Sequence, residues 1–202
     1  MTLDNLRPYT VKIFKPIVRV AIKLGLTPNT CTIIALIGAA AAGVAFYLNE
    51  VALGVVMVAV NAIFDAIDGE IAREHGTAGP KGDFLDHALD RYADIFIITG
   101  IFAGPLASWP EGVFALTGVL MSSYLGTQAQ AVGVGRFYGG ILGRADRLVL
   151  LMLAGVLDII IPSGVYGMHI LGWLLVIFGV LGHITALQRF AHVWREIDRK
   201  DN

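Results

Sequence analysis

Long apolar stretches broken by short polar clusters dominate the chain. Uncharged runs occupy 30–48, 51–64, 95–110, 112–135 and 159–188, with a shorter one at 148–157. A helix needs about 20 apolar residues to cross the hydrocarbon core of a bilayer, so 30–48, 112–134 and 166–188 are long enough as they stand. The runs that begin at Val51 and end near Gly104 reach that length only if their helices continue into 65–73 and back to Asp83. The fifth needs Asp146 and Arg147 near one end. The predicted fold is all-α, an integral membrane bundle of six transmembrane helices in a single domain over 1–202. Its spans are expected at about 28–48, 51–74, 83–104, 110–134, 144–161 and 165–196. Ahead of them, Lys12, Lys15, Arg19 and Lys23 alternate with Val11, Phe14, Val18 and Ile22. That spacing predicts an N-terminal amphipathic interfacial helix at about 5–24. Pro16 and the interleaved charges argue against a cleaved signal peptide.

Composition supports the membrane reading. The 202 residues are 56% hydrophobic and 15% charged, whereas soluble domains carry about 25% charged residues. With 15 basic and 16 acidic residues the net charge is −1, which speaks against a generally basic nucleic-acid binder. The lone Cys31 excludes an internal disulfide framework and a zinc site on paired cysteines. The charges are also segregated. All 15 basic residues lie in the first 23 residues, between Arg73 and Arg91, between Arg136 and Arg147, or from Arg189 onward. The turns at 48–50, 104–110 and 158–167 contain no Lys or Arg. The positive-inside rule then predicts a multi-pass protein of the cell membrane with both termini and the 74–82 and 135–145 loops in the cytoplasm.

Acidic residues concentrate between Asp65 and Asp90, where seven of the 16 fall. Asp65 and Asp68 are spaced i,i+3 on one predicted helix, and Asp86 and Asp90 i,i+4 on the next. A short connection makes those helices antiparallel neighbours, so four carboxylates converge at their cytoplasmic ends. Carboxylates are rare and costly inside membranes, and four together need cations. Hard divalent ions with oxygen ligands fit best: Mg²⁺, with Mn²⁺ or Ca²⁺ as substitutes. Four carboxylates suffice to bridge two ions about 3.5–4 Å apart, an arrangement suited to displacement at phosphorus. Gly69, Ala72 and Gly82 leave room for a phosphate ligand, and Arg73 sits within reach of its oxygens.

The pattern Asp65-x2-Asp68-Gly69-x2-Ala72-Arg73-x8-Gly82-x3-Asp86-x3-Asp90 resembles the full signature of the CDP-alcohol phosphotransferases. The resemblance implies six helices, an amphipathic leader and transfer of a phosphatidyl-type group from a CDP-linked lipid to an alcohol with release of CMP. It implies Asp65, Asp68 and Asp86 as ligands of Mg²⁺ or Mn²⁺, and Asp90 as both metal contact and base toward the acceptor hydroxyl. Gly69, Arg73, Gly79 and Gly82 would hold the cytidine diphosphate. So would Pro28, Asn29, Thr30, Cys31 and Thr32, although Thr27 to Thr32 serve equally well as helix caps.

Gly143-Arg144-Ala145-Asp146-Arg147 and Gln188-Arg189 resemble segments of the phosphatidylinositol phosphate synthase branch, which includes the archaeal archaetidylinositol phosphate synthases. This implies inositol 1-phosphate as acceptor, its phosphate held by Arg144, Arg147 and Arg189. Bacterial members of that branch carry Lys-x-Arg where this chain has Gln128-Ala129-Gln130, so glycerol phosphate competes as acceptor and Gln128 joins the candidate pocket. His75, His87 and His192 lie near the inner face without an assigned role, while Gly172, Gly179 and Gly182 suit a helix contact within the bundle or across a homodimer. A divalent-cation transporter is the alternative from another class. It would need a polar path through the outer halves of the second and third helices, where Asn61 and Thr99 stand among apolar residues.

Overall fold

A computed structural model describes residues 7–137 and 139–201, with side chains for 15–137 and 139–200, so Val11, Lys12 and Phe14 of the amphipathic stripe lie outside the described side chains. Seven helices make up the described chain: α1 (Arg7–Lys23), α2 (Pro28–Tyr47), α3 (Val51–Glu74), α4 (Pro80–Ala103), α5 (Trp109–Ala131), α6 (Arg144–Ile160) and α7 (Ile170–Asp201). Among the described residues the only extended pairing is one bridge between Val165 and Met168.

Local chemistry sets the boundaries. The Thr27 hydroxyl accepts the Thr30 N–H at 3.2 Å and Pro28 follows at the first position of α2, where a missing N–H costs nothing. Pro80 does the same for α4, so that helix starts three residues before the predicted Asp83. At α6 the Asp146 carboxylate accepts the Gly143 N–H at 2.9 Å. Helix α7 starts at Ile170 rather than 165, because Gly164, Tyr166 and Gly167 take positive φ and fold 161–169 into a turn. The α7 start is capped from α6, where buried Asp158 accepts the Ile170 N–H at 2.7 Å. Helix α3 runs unbroken from the apolar 51–64 stretch through Asp65 and Asp68, as the span-length argument required.

Helix α2 packs on α3 and α4, α5 on α7, and α6 on α3 and α7. Two crossings bring main chains into contact. At α2–α4, a Cβ on Gly100 would collide with the Gly43 carbonyl, and one on Gly43 with that of Phe96. At α5–α7, Gly118 and Gly182 meet in the same way, which gives Gly182 its packing role. Helix α1 buries Val18 and Ala21 against Cys31, Ile67 and Ile71, and exposes Lys15, Arg19 and Lys23. Apolar side chains also cover the outside of the bundle, among them Ile37, Leu53, Val56, Leu153 and Leu187. Three helical segments, Pro28–Tyr47, Val51–Glu74 and Ile170–Lys200, are long and apolar enough to cross a membrane.

Candidate active site

The antiparallel pair α3–α4 carries its acidic residues at adjoining ends. Asp68 lies within electrostatic range of Asp65 and Asp86, and Asp86 within range of Asp65 and Arg144. Asp86, His87 and Asp90 offer ligand atoms within 4.8 Å of one another. Asp68 and Asp90 are buried and Asp65 and Asp86 half-buried, so this is a recessed anionic site at one end of the bundle. A single guanidinium spans it, since Arg144 contacts Asp90 and approaches Asp65 at 3.3 Å.

The fit to hard cations follows from this donor set. Carboxylate oxygens from two helices converge, and Asp65 and Asp90 already share one cationic side chain. Carboxylate oxygens are the donors that Mg²⁺ or Mn²⁺ takes, and Asp86 and Asp90 bring theirs close together beside His87.

Helix α2 supplies one neighbour directly. Thr32 donates to Asp68 Oδ2 at 2.8 Å and lies 3.0 Å from the Pro28 carbonyl. Asn29 and Thr30 are exposed at the start of α2, whereas Cys31 is wholly buried in the α1–α2–α3 contact. Its side chain faces that contact and is closed to a ligand in this arrangement. Gly79 and Gly82 border open space, and a Cβ at either would meet nothing within 4 Å. Gly69 sits beside Arg73, whose guanidinium pairs with Glu70 at 2.5 Å on the same helix.

The candidate acceptor arginines occupy three different settings. Arg144 lies among the carboxylates. Arg147, 4% exposed, binds Asp94 at 2.8 Å, one helical turn beyond Asp90. Arg189 donates to two main-chain carbonyls, Ser122 at 2.6 Å and Gly139 at 2.8 Å, and so ties the 132–143 loop to α5. Gly126 makes room for that guanidinium. Gln128 is half-buried on α5.

Asp94 is a residue the motif does not mark. Its signal lies in register, because it continues the i,i+4 series of Asp86 and Asp90 into the apolar part of α4. Arg91 stands beside it, 3.5 Å from Asp90 and 3.7 Å from Asp94. His87 turns to Asp83 at 3.2 Å, and Asp83 holds Arg136 at 2.8 Å. These residues rim a separate groove of about 570 Å³ between α4 and α5, with Phe84, Leu120, Tyr124 and Thr127 along it. His192 stacks on Phe137 and His75 is exposed, so neither joins the carboxylate site.

Residues 25–188 match the family model described as CDP-alcohol phosphatidyltransferase. The archaetidylinositol phosphate synthase of Pyrococcus horikoshii is 34% identical over 172 residues, covering 85% of this chain and 91% of that protein. The crystal structure of Mycobacterium tuberculosis phosphatidylinositol phosphate synthase with CDP-DAG bound superposes with a TM-score of 0.75 at 26% identity, covering 91% of this chain and 94% of that one. The same enzyme in complex with manganese and citrate gives 0.75 at 28% identity, covering 89% and 88%.

Proposed function

This chain belongs to the CDP-alcohol phosphatidyltransferase family, and from that premise we propose that it transfers a phosphatidyl- or archaetidyl-type group from a CDP-linked lipid to inositol 1-phosphate. The enzyme class takes the place of the cation-transporter alternative. The contact of Arg144 with Asp90, with Arg147 one turn further along α6, carries the choice of a phosphorylated acceptor. Cationic side chains suited to a phosphate monoester stand directly beside the carboxylate that would receive the acceptor's proton.

Asp65, Asp68, Asp86 and Asp90 would hold the metal. Bound Mg²⁺ or Mn²⁺ supplies neutralisation of the diphosphate and of the leaving CMP. The start of α2, with Pro28, Asn29, Thr30 and Thr32, and the α3–α4 connection with Gly69, Arg73, Gly79 and Gly82 would cradle the cytidine diphosphate. Asp90 takes the proton from the acceptor hydroxyl as its oxygen bonds to the lipid-bearing phosphorus. The bond from that phosphorus to the bridging oxygen breaks, and the electron pair leaves with CMP. Arg144, Arg147 and Arg189 orient the acceptor phosphate and bring its hydroxyl to Asp90.

Gln128-Ala129-Gln130 favours a second acceptor, glycerol 3-phosphate or glycerol 1-phosphate, because α5 contributes no cation there. Helices α2 to α7 are read as six spans of the cell membrane, with α1 in the interface and both termini and the site cytoplasmic. The segregated basic residues and the apolar outer surface support this arrangement. A homodimer is the proposed assembly.

The test is CMP release from CDP-diacylglycerol and its ether-linked counterpart against inositol 1-phosphate, glycerol 3-phosphate, glycerol 1-phosphate, inositol and serine. Release with inositol 1-phosphate supports the proposal. Release confined to a glycerol phosphate replaces the acceptor, and release with none overturns the reading.

A further inference from the structure

We propose that Asp94 is a positioning residue for the acceptor phosphate, holding Arg147 by one arm of its guanidinium so that the rest is presented to the anion; the proposal rests on the reading of Arg147 as an acceptor contact. Both side chains are nearly closed to solvent, at 6% exposure for Asp94 and 4% for Arg147, and they meet at 2.8 Å through Arg147 Nη2 and Asp94 Oδ2. A buried guanidinium without a counter-charge is costly, and Asp94 supplies that counter-charge from a different helix.

The pairing uses only part of Arg147. Its Nε is buried with no hydrogen-bond partner among the described residues. A guanidinium has five N–H donors in a fixed planar fork, so fixing one arm fixes the directions of the others. A buried donor left without a partner is destabilising, and a phosphate oxygen would satisfy it. Asp94 therefore does for Arg147 what a fixed hinge does for a clamp.

The placement along α4 ties this to the reaction. Asp90 and Asp94 are one turn apart on α4, and their partners Arg144 and Arg147 are one turn apart on α6. Asp94 thus sets Arg147 at a fixed distance from the base. Arg91 reaches Asp90 at 3.5 Å and Asp94 at 3.7 Å, so its charge helps compensate Asp94 while Arg147, still held in place, also meets a second anion.

The experiment compares Asp94→Asn, Arg147→Gln and the double variant in the full-length, metal-loaded protein. Asp94→Asn is expected to raise KM for inositol 1-phosphate at least tenfold, with KM for CDP-lipid and Mn²⁺ affinity changed less than threefold. The double variant is expected to match Arg147→Gln alone. Additive effects, or a loss spread equally over lipid, metal and acceptor, would overturn the proposal. Asp94→Glu keeps the charge on a longer stem and is expected to give an intermediate, acceptor-confined defect, and it decides the matter if Asp94→Asn does not fold. Calorimetry with inorganic phosphate separates this from the functional reading. Weaker phosphate binding in both single variants upholds the role of Asp94 even if wild type releases no CMP with inositol 1-phosphate. Unchanged phosphate binding in Asp94→Asn overturns it.

Discussion

The hydroxyl of Thr32 donates to Asp68 at 2.8 Å, linking the start of α2 to the carboxylate site across 36 positions of sequence. A helix that would hold the diphosphate and a helix that would hold metal are thereby joined by one proton. Hydrogen bonds to charged groups contribute about 1.5–3 kcal/mol, so Thr32→Val is expected to weaken Mn²⁺ binding roughly tenfold or more. Thr32→Ser, which keeps the donor, is expected to stay near wild type. Metal titration followed by calorimetry reads both.

Asp90→Asn removes the proposed proton acceptor while preserving shape. General-base catalysis typically contributes about 10²–10⁴-fold, so CMP release is expected to fall by at least the lower figure while CDP-lipid still binds. Turnover and lipid binding measured on the same preparation distinguish this from misfolding, and retained turnover would remove Asp90 from the role of base.

Asp65→Ala takes away a proposed metal ligand and one of the two carboxylates that share Arg144. The expected result is a shift of the Mn²⁺ activation midpoint to higher concentration, with CDP-lipid binding weakened only when metal is present. An unchanged midpoint would strike Asp65 from the ligand set.

Gly82→Ala separates packing from binding. A Cβ there meets nothing within 4 Å, so the thermal midpoint in detergent should move little, whereas KM for CDP-lipid should rise. Gly100→Ala is its counterpart: the Cβ lands on the Gly43 main chain, and overpacking of about 1–3 kcal/mol is expected to lower the midpoint.

Arg189→Ala removes the donor that the half-buried Gly139 carbonyl accepts from and an extra donor to the Ser122 carbonyl of α5. With about 1–3 kcal/mol for the unsatisfied Gly139 carbonyl, loosening of the 132–143 loop is expected before global unfolding. Faster proteolysis at that loop would show it. A loop as resistant as wild type would return Arg189 wholly to the acceptor pocket.

The parts of this molecule legible in sequence are those written in short-range spacing. The bounds of α3 follow from the need to extend 51–64 into Asp65 and Asp68, whereas the loop expected at 135–145 opens at 132, where α5 ends. The four aspartates stand out because charges are expensive in apolar runs. What was hidden depends on pairing between distant helices. Asp94 reads as the end of a polar stretch until α6 brings Arg147, 53 residues away, against it. Asp158 reads as a break in an apolar run until the 161–169 turn brings the start of α7 back to its carboxylate. Arg189 adds a structural tie that its place in the sequence does not show: its guanidinium also bonds the Ser122 and Gly139 carbonyls.

The α2–α4 crossing, where Gly43 meets Gly100, has one more implication. Contact there is main chain against main chain, with no rotamers to populate as temperature rises and no side-chain entropy to set against it. The C-terminal ends of α2 and α4 are thus held at a spacing that thermal loosening of the surrounding side chains leaves unchanged. Heat would loosen the outward-facing side chains of this bundle well before it separated α2 from α4 at that crossing.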